Sequence, residues 1–295
     1  MTKHKIDVYT LIQSEIHKLR KVGIETANLD CRLLLTKSLN LNKTLHNYQN
    51  VNITDNEFKN FKNFIEQRLS RKPVSRIINK KNFWDNEFEL NDDTLDPRPD
   101  SENLIDAVLC HFKSKTQILK ILDLGSGSGC LGLSLLKEYP YSEASFFDVS
   151  KKSLEIVKTN SINFGLSNRS KFVNLDWRDK NWVANLIKIE NKTKFDVIIS
   201  NPPYIPTEDI KNLQKEVKEF DPFIALNGGK DGLQAYKSII PKLKNIINKN
   251  GKIFFEIGKG QENCVTKLAL ENGLLPQENR KDLSGVTRVI TFIIK

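Results

Sequence analysis

Cysteine and histidine are scarce in this chain of 295 residues, with four of each. Cys31, Cys110, Cys130 and Cys264 stand far apart with no C-x-x-C pair, which argues against a disulfide framework or a zinc knuckle. His4, His17, His46 and His111 are equally scattered and all precede the glycine-rich segment described below, so neither a metal site nor Ser-His chemistry is expected. No apolar run approaches the ~18 residues of a membrane helix. The segment Met1–Asp7 has neither the apolar stretch of a secretory signal nor the Arg/Ser composition of a transit peptide. Fourteen glycines and ten prolines are too few for a collagen-like or low-complexity chain. These shortages point to a soluble protein of the cytoplasm with no membrane partner.

What is present favours a folded enzyme-sized chain. Hydrophobic residues at 39% and charged residues at 28% allow a buried core, and the length suits roughly two domains. The net charge of +10 invites a nucleic-acid reading, but the excess is spread along the chain rather than gathered on one face. One local exception lies between residues 59 and 81, where Lys59, Lys62, Arg68, Arg71, Lys72, Arg76, Lys80 and Lys81 face Glu66 alone. Such a cluster is either a solvated helix face or a surface for an acidic or RNA-associated partner.

Residues 1–75 read as a helical domain. Val8, Leu11, Ile12, Ile16 and Leu19 recur at helical spacing, and a second apolar stretch runs from Leu33 to Leu39. Thr54 and Glu57 form a capping-box pattern ahead of Phe58, Phe61, Phe64, Ile65 and Leu69, and Pro73 ends that helix. Residues 76–98, with Phe83-Trp84 and Phe88, suggest a hairpin linker. From residue 99 to 295, short apolar runs alternate with helical stretches. The strand candidates are Ile118–Leu124, Ala144–Val149, Lys171–Leu175, Phe195–Ser200 and Lys252–Ile257, with Val286–Ile294 expected at the sheet's edge. This alternation predicts an α/β fold with a Rossmann-like parallel sheet covered on both faces.

Two loops at the carboxyl ends of these strands carry the chemistry. After the first, Gly125-Ser126-Gly127-Ser128-Gly129 can turn sharply and bring the backbone close to a ligand at a helix N-terminus. Asp148, at the end of the second, can accept the two hydroxyls of a ribose. Gly127, Gly129 and Gly132 also spell the dinucleotide fingerprint, so NAD must be considered. Asp123 closing the first strand, with Asp176 and Trp177 after the third as an acceptor and a stacking ring for adenine, favours S-adenosyl-L-methionine. Trp177 taken alone could equally be core. After the fourth strand comes Asn201-Pro202-Pro203-Tyr204. The Asn201 side-chain oxygen and the Pro202 carbonyl can accept the two N–H groups of a planar nitrogen and hold it for attack on a methyl sulfonium. Tyr204 can cover the site and offer a ring face to positive charge.

With these motifs the chain resembles the protein-(glutamine) N5-methyltransferases of the HemK/PrmC family, which modify the glutamine of the Gly-Gly-Gln loop of peptide-chain release factors. The likeness includes Leu29–Leu35, Phe83-Trp84, Pro97-Arg98-Pro99-Asp100-Ser101-Glu102, Asp123–Gly129, Asn201–Tyr204, Phe220-Asp221-Pro222, Phe255-Glu256-Ile257-Gly258 and Gly285–Arg288. It implies a methyl-donor site at Gly125–Gly129, Asp148, Trp177 and Asn201, and a glutamine site at Asn201, Pro202, Pro203 and Tyr204. It implies a helical domain for substrate recognition ahead of a class I methyltransferase domain. It further implies S-adenosyl-L-methionine as cofactor, S-adenosyl-L-homocysteine as product, release factors as protein substrates, no stable nucleic-acid partner and a monomeric state. Ser101 stands where the family usually has Thr, and Asp221 where Glu is common. Arg98 and Glu102 either line the donor pocket or fix the junction between domains. N-P-P-Y is shared with adenine amino-methyltransferases acting on DNA or RNA, which is the alternative activity. A binding module without activity would be expected to have altered Asp148 or Asn201, and both are intact.

Overall fold

Short apolar runs, too brief for helices and flanked by turn residues, become the strands of a seven-stranded sheet. The computed structural model describes residues 3–295. Its strands, in chain order, are β1 (Lys3–Asp7), β2 (Asn50–Thr54), β3 (Lys80–Phe83), β4 (Asn86–Glu89), β5 (Lys120–Leu124), β6 (Glu143–Asp148), β7 (Ser170–Asn174), β8 (Phe195–Ser200), β9 (Ile247–Glu256), β10 (Leu274–Lys281) and β11 (Thr287–Ile294). The principal helices are α1 (Val8–Lys21), α2 (Ala27–Ser38), α3 (Asp55–Leu69), α4 (Val74–Ile78), α5 (Glu102–His111), α6 (Cys130–Glu138), α7 (Lys151–Asn163) and α8 (Trp182–Ile189). The chain divides into two compact units, one reaching to Lys80 and including Gln214–Phe220, the other holding Lys81–Leu213 and Asp221–Lys295. No helix among the described residues is long and apolar enough to cross a membrane.

In the larger unit the sheet order is β10-β11-β9-β8-β5-β6-β7. Pairings among β9, β8, β5, β6 and β7 are parallel, while β11 runs antiparallel to β9 and β10 antiparallel to β11. The chain moves outward from β5 to β7 and then crosses back to lay β8 on the other side of β5. Ligands of open α/β sheets bind where the strand order reverses in this way. Val197, Ile198 and Ile199 of β8 are fully buried because helices cover both faces. Leu104, Val108, Leu133, Leu136 and Val157 pack on one face, and Trp182, Leu186, Tyr236, Ile239 and Val265 on the other.

Two expectations about the strands need correction. The sequence predicts Val286–Ile294 at the sheet's edge, but β11 lies inside it, between β9 and β10. The edge belongs to β10, whose Pro276 and run of polar side chains conceal a strand, and Pro is tolerated there because an edge has unpaired backbone. The first 75 residues are not wholly helical, since β1 and β2 pair antiparallel. In β2 the short alternation that buries Val51 and Ile53 is masked by the stronger helical periodicity around it. The hairpin of β3 and β4 does form, turning through Trp84 and Asp85 with φ of 45° and 56°, as its two-residue loop requires.

The smaller unit packs α1, α2 and α3 around Val8, Ile12, Leu19, Leu34, Leu35, Phe61 and Ile65. The capping box is realised: Thr54 Oγ1 accepts from Glu57 N at 3.3 Å, and Glu57 Oε2 accepts from Thr54 N at 2.7 Å. Of the aromatic face of α3, Phe61 is buried while Phe58 is 37% exposed. The basic cluster is largely neither a solvated face nor a free partner surface. Arg68 is buried and donates through Nε to Asp30 Oδ2 at 2.8 Å, with Glu216 3.5 Å from its Nη1. Arg71 pairs with Glu216 at 2.7 Å, Lys62 pairs with buried Glu15, and Arg76 is buried. Removing Asp30 leaves buried Arg68 with only the longer contact to Glu216 and an unpaired Nε–H, which is destabilising. Asp30→Ala should therefore speed amide hydrogen exchange throughout α2 and α3 and leave β5 and β8 unchanged. Unchanged protection in α2 and α3 would show that the pair does not support this unit.

Candidate active site

The glycine loop leaves β5 and is fastened to the end of β6. The N–H groups of Gly125 and Ser126 both donate to the Phe147 carbonyl, at 2.8 and 3.0 Å. Gly129 caps α6 with φ of 79°, and a Cβ there would lie 2.7 Å from Val157, so only glycine fits. Gly127 N donates to Asp148 Oδ2 at 2.9 Å, and Ser150 N donates to Oδ1 at 2.8 Å. Burial pushes the Asp148 carboxyl above its ordinary value, opposed by the backbone donors of Ser150, Gly127 and Val149. Both carboxylate oxygens thus accept from the backbone. Asp148 and all five residues of Gly125–Gly129 except Gly129 itself line a cavity of about 360 Å³.

The end of β7 supplies the next wall. Asn174 Nδ2 donates to the Asp148 and Val149 carbonyls at 3.0 and 2.9 Å, holding β7 against β6. Trp177 lies parallel to Phe147, with ring centroids 6.1 Å apart, and it packs over Gly125. It therefore both belongs to the core and faces the cavity. Asp176 also lines the cavity, but its carboxylate is held by Arg178, whose Nη2 is 2.7 Å from Oδ2 and whose Nε is 2.9 Å from both oxygens. That pairing holds the Asp176 carboxyl below its usual range.

Across the crevice, β8 delivers N-P-P-Y. Ser200 Oγ donates to the Leu124 carbonyl at 2.6 Å, pinning the start of this loop to the end of β5. Asn201 and Pro203 line the same cavity as the glycine loop, whereas Pro202 is buried. Tyr204 is not part of that lining. Its hydroxyl turns inward and donates to Glu256 Oε1 at 3.2 Å, and its carbonyl accepts from Gln261 Nε2 at 2.9 Å. Burial pushes the Tyr204 phenol above its ordinary value, with the neighbouring Glu256 charge adding to the shift. The Tyr204 hydroxyl is thereby anchored to Glu256.

The two residues of undecided role separate. Arg98 lines the cavity and is paired with buried Asp221, which also accepts from Asp96 N at 3.3 Å. Glu102 accepts from Trp84 N at 3.0 Å and so holds the turn of the β3–β4 hairpin. Ser101 and Glu256, which the sequence offers only as parts of motifs, are both connected to Asn201 in the structure. Asn201 Nδ2 donates to Ser101 Oγ at 3.0 Å, and Ser101 donates to Glu256 Oε2 at 2.6 Å. A glutamate inside the apolar run Ile253–Ile257 was the available signal, because a carboxylate in a buried strand needs partners.

A crevice at the reversal of strand order, walled by a glycine loop, an acid at the end of the next strand and an Asn-Pro-Pro-Tyr turn, defines a Rossmann-like methyltransferase. Comparison with known proteins agrees: the family described as "Methyltransferase small domain" matches residues 104–219, and "PrmC N-terminal domain" matches residues 10–78. The chain is 35% identical over 278 residues to the release factor glutamine methyltransferase of Bradyrhizobium diazoefficiens, covering 93% of this chain and 90% of that one. It is 37% identical over 275 residues to the enzyme of the same name from Rhodospirillum rubrum, covering 92% and 81%. It is also 35% identical over 305 residues to a bifunctional methyltransferase of Rickettsia felis, covering 93% of this chain but only 56% of that longer protein. The chain belongs to the HemK/PrmC family of release factor glutamine methyltransferases.

Beneath the site, Asp123 is fully buried, with Oδ2 accepting from Gly132 N at 3.0 Å. Burial pushes its carboxyl up to about 7. Between its ordinary value and about 7 the folded chain keeps a proton that the unfolded chain has released, so stability falls as pH rises through that window. Asp123→Asn removes this titration. The melting temperature of the variant should decline less than that of the wild type between about pH 5 and about pH 7. Parallel pH profiles would show that Asp123 does not contribute.

Proposed function

We propose that this protein methylates the side-chain amide nitrogen of the glutamine in the Gly-Gly-Gln motif of peptide-chain release factors, with S-adenosyl-L-methionine as donor. In the same reading the unit reaching to Lys80 recognises the protein substrate, and the reaction takes place in the cytoplasm. The observation that carries this reading is the meeting of Asn201 with the glycine loop and Asp148 in one cavity.

The residues present fit the donor. Asp148 lines the cavity with a carboxylate, an acceptor that suits the two neighbouring hydroxyls of a ribose. A Cβ built at Gly127 would meet nothing within 4 Å, so the loop is open at the point where a ligand must approach its backbone. The cavity volume lies within the range of small-molecule sites. Trp177 gives an apolar face for adenine, while Asp176 can receive the adenine amino group only by sharing its oxygens with Arg178. When bound, S-adenosyl-L-methionine supplies an electrophilic methyl on a sulfonium, so an N–C bond forms as the C–S bond breaks and sulfur keeps the electron pair.

The protein's task is to make an amide nitrogen react. Its lone pair is delocalised into the carbonyl, and both N–H groups must be held while the nitrogen pyramidalises. The Asn201 oxygen takes one of them. The Pro202 carbonyl takes the other, and the two prolines, having no N–H, put no competing donor there. Such acceptors stabilise the positive charge that develops on nitrogen, and one of the two amide protons then leaves to water, giving a neutral secondary amide.

Incubation with methyl-labelled S-adenosyl-L-methionine and a release factor, followed by peptide mass spectrometry, should place one label on the Gly-Gly-Gln glutamine. Label on another residue, or transfer only to adenine in DNA or RNA, would contradict the proposal.

A further inference from the structure

A primary amide has two nearly isosteric orientations with opposite hydrogen-bonding sense. Rotated by half a turn, Asn201 would present a donor instead of an acceptor to a substrate that itself brings two donors. Something must select the orientation, and the contacts behind Asn201 do so. Ser101 Oγ lies 3.0 Å from Asn201 Nδ2 and 2.6 Å from Glu256 Oε2. A hydroxyl has one proton. An ionised Glu256 can only accept, so Ser101 must give its proton to Glu256 and accept from Asn201. The Asn201 nitrogen is thereby turned toward Ser101, and its oxygen is left for the cavity that Asn201 lines.

The chain of contacts is anchored at each end. Ser101 is 3% exposed and closes the turn Pro99–Ser101, with its N–H on the Arg98 carbonyl at 3.0 Å. Glu256 is 1% exposed at the end of β9, and its other oxygen accepts from the Tyr204 hydroxyl at 3.2 Å. Its backbone carbonyl accepts from the Tyr236 hydroxyl at 2.7 Å. Burial pushes the Glu256 carboxyl up to about 7, opposed by Ser101, Tyr204 and the charge of Arg288, with Asp100 adding to the rise.

We propose that Ser101, held by Glu256, is a positioning residue that fixes the Asn201 amide with its oxygen toward the substrate nitrogen. The proposal rests on Asn201 being the amide acceptor, and it adds what makes it one.

The test uses the full chain at about pH 8.5, above the Glu256 value of about 7. Ser101→Ala removes the hydroxyl that holds the Asn201 nitrogen, so kcat should fall about tenfold, the equivalent of about 1.4 kcal/mol. The dissociation constant for S-adenosyl-L-methionine, measured by calorimetry, should stay within about twofold. Ser101→Thr keeps the hydroxyl and should restore kcat to within about threefold of wild type. Independently of turnover, the Asn201 side-chain NH₂ signal in an asparagine-labelled NMR spectrum, identified by its loss in Asn201→Ala, should be protected from exchange in wild type. That protection should be lost in Ser101→Ala. A Ser101→Ala enzyme with unchanged kcat, or one whose Asn201 NH₂ stays protected, overturns the proposal. Should the wild type fail to methylate a release factor, the functional reading falls, and the NMR comparison still decides whether Ser101 orients Asn201.

Discussion

The site depends on the parallel pairing of β5 with β8. Ile121, Leu122 and Asp123 stand opposite Val197, Ile198 and Ile199, and Ser200 Oγ reaches across to the Leu124 carbonyl. One residue beyond that bond on each side, the chain enters the glycine loop and the Asn-Pro-Pro-Tyr turn. The two loops are 76 residues apart in sequence, and their nearness is entirely a result of sheet register. A slip of one residue would exchange the faces of every side chain in β8 and lose the alignment. Polar contacts at both ends of β8 hold the register, since Asp196 Oδ2 accepts from Lys120 N at 2.9 Å while Ser200 is bound to Leu124.

Two fully buried carboxylates sit at the ends of the central strands, Asp123 on β5 and Glu256 on β9. Burial raises both to about 7. A stable core would not place them there without a return. Asp123 receives the Gly132 N–H and so ties β5 to the first turns of α6, directly behind the glycine loop. Glu256 gathers Ser101, from the Pro99–Ser101 turn, and Tyr204, from the loop after β8. The cost of desolvating each acid is thus coupled to the shape of one loop. This is the pattern expected when local stability is sacrificed to a site.

Much of this was readable from residue order. The parallel strands announced themselves as short, uniformly apolar runs, and the loops after them contained residues with few other uses: alternating glycines, and an asparagine before two prolines. The helix α3 was legible from Thr54 and Glu57, because capping is local chemistry. What escaped was non-local. β10 is polar and holds Pro276, and only its neighbour β11 makes it a strand. Arg68 and Arg71 looked like surface charge because Asp30 and Glu216, their partners, are distant in sequence. Tyr204 looked like a cover for the site, and the acid that turns its hydroxyl inward lies 52 residues further on. Ser101 carried no signal of its own. Its part emerges only where the Pro99–Ser101 turn, β8 and β9 meet.

The claim at the centre of this account is that Asn201 accepts a hydrogen bond from the amide nitrogen that is methylated. Single-turnover methylation of a release factor, with S-adenosyl-L-methionine saturating, isolates that contact from donor binding. Loss of one preorganised hydrogen bond at a reacting centre predicts a rate for Asn201→Ala lower by on the order of 10²–10³-fold. Rates for wild type and Asn201→Ala that agree within about threefold would contradict the account.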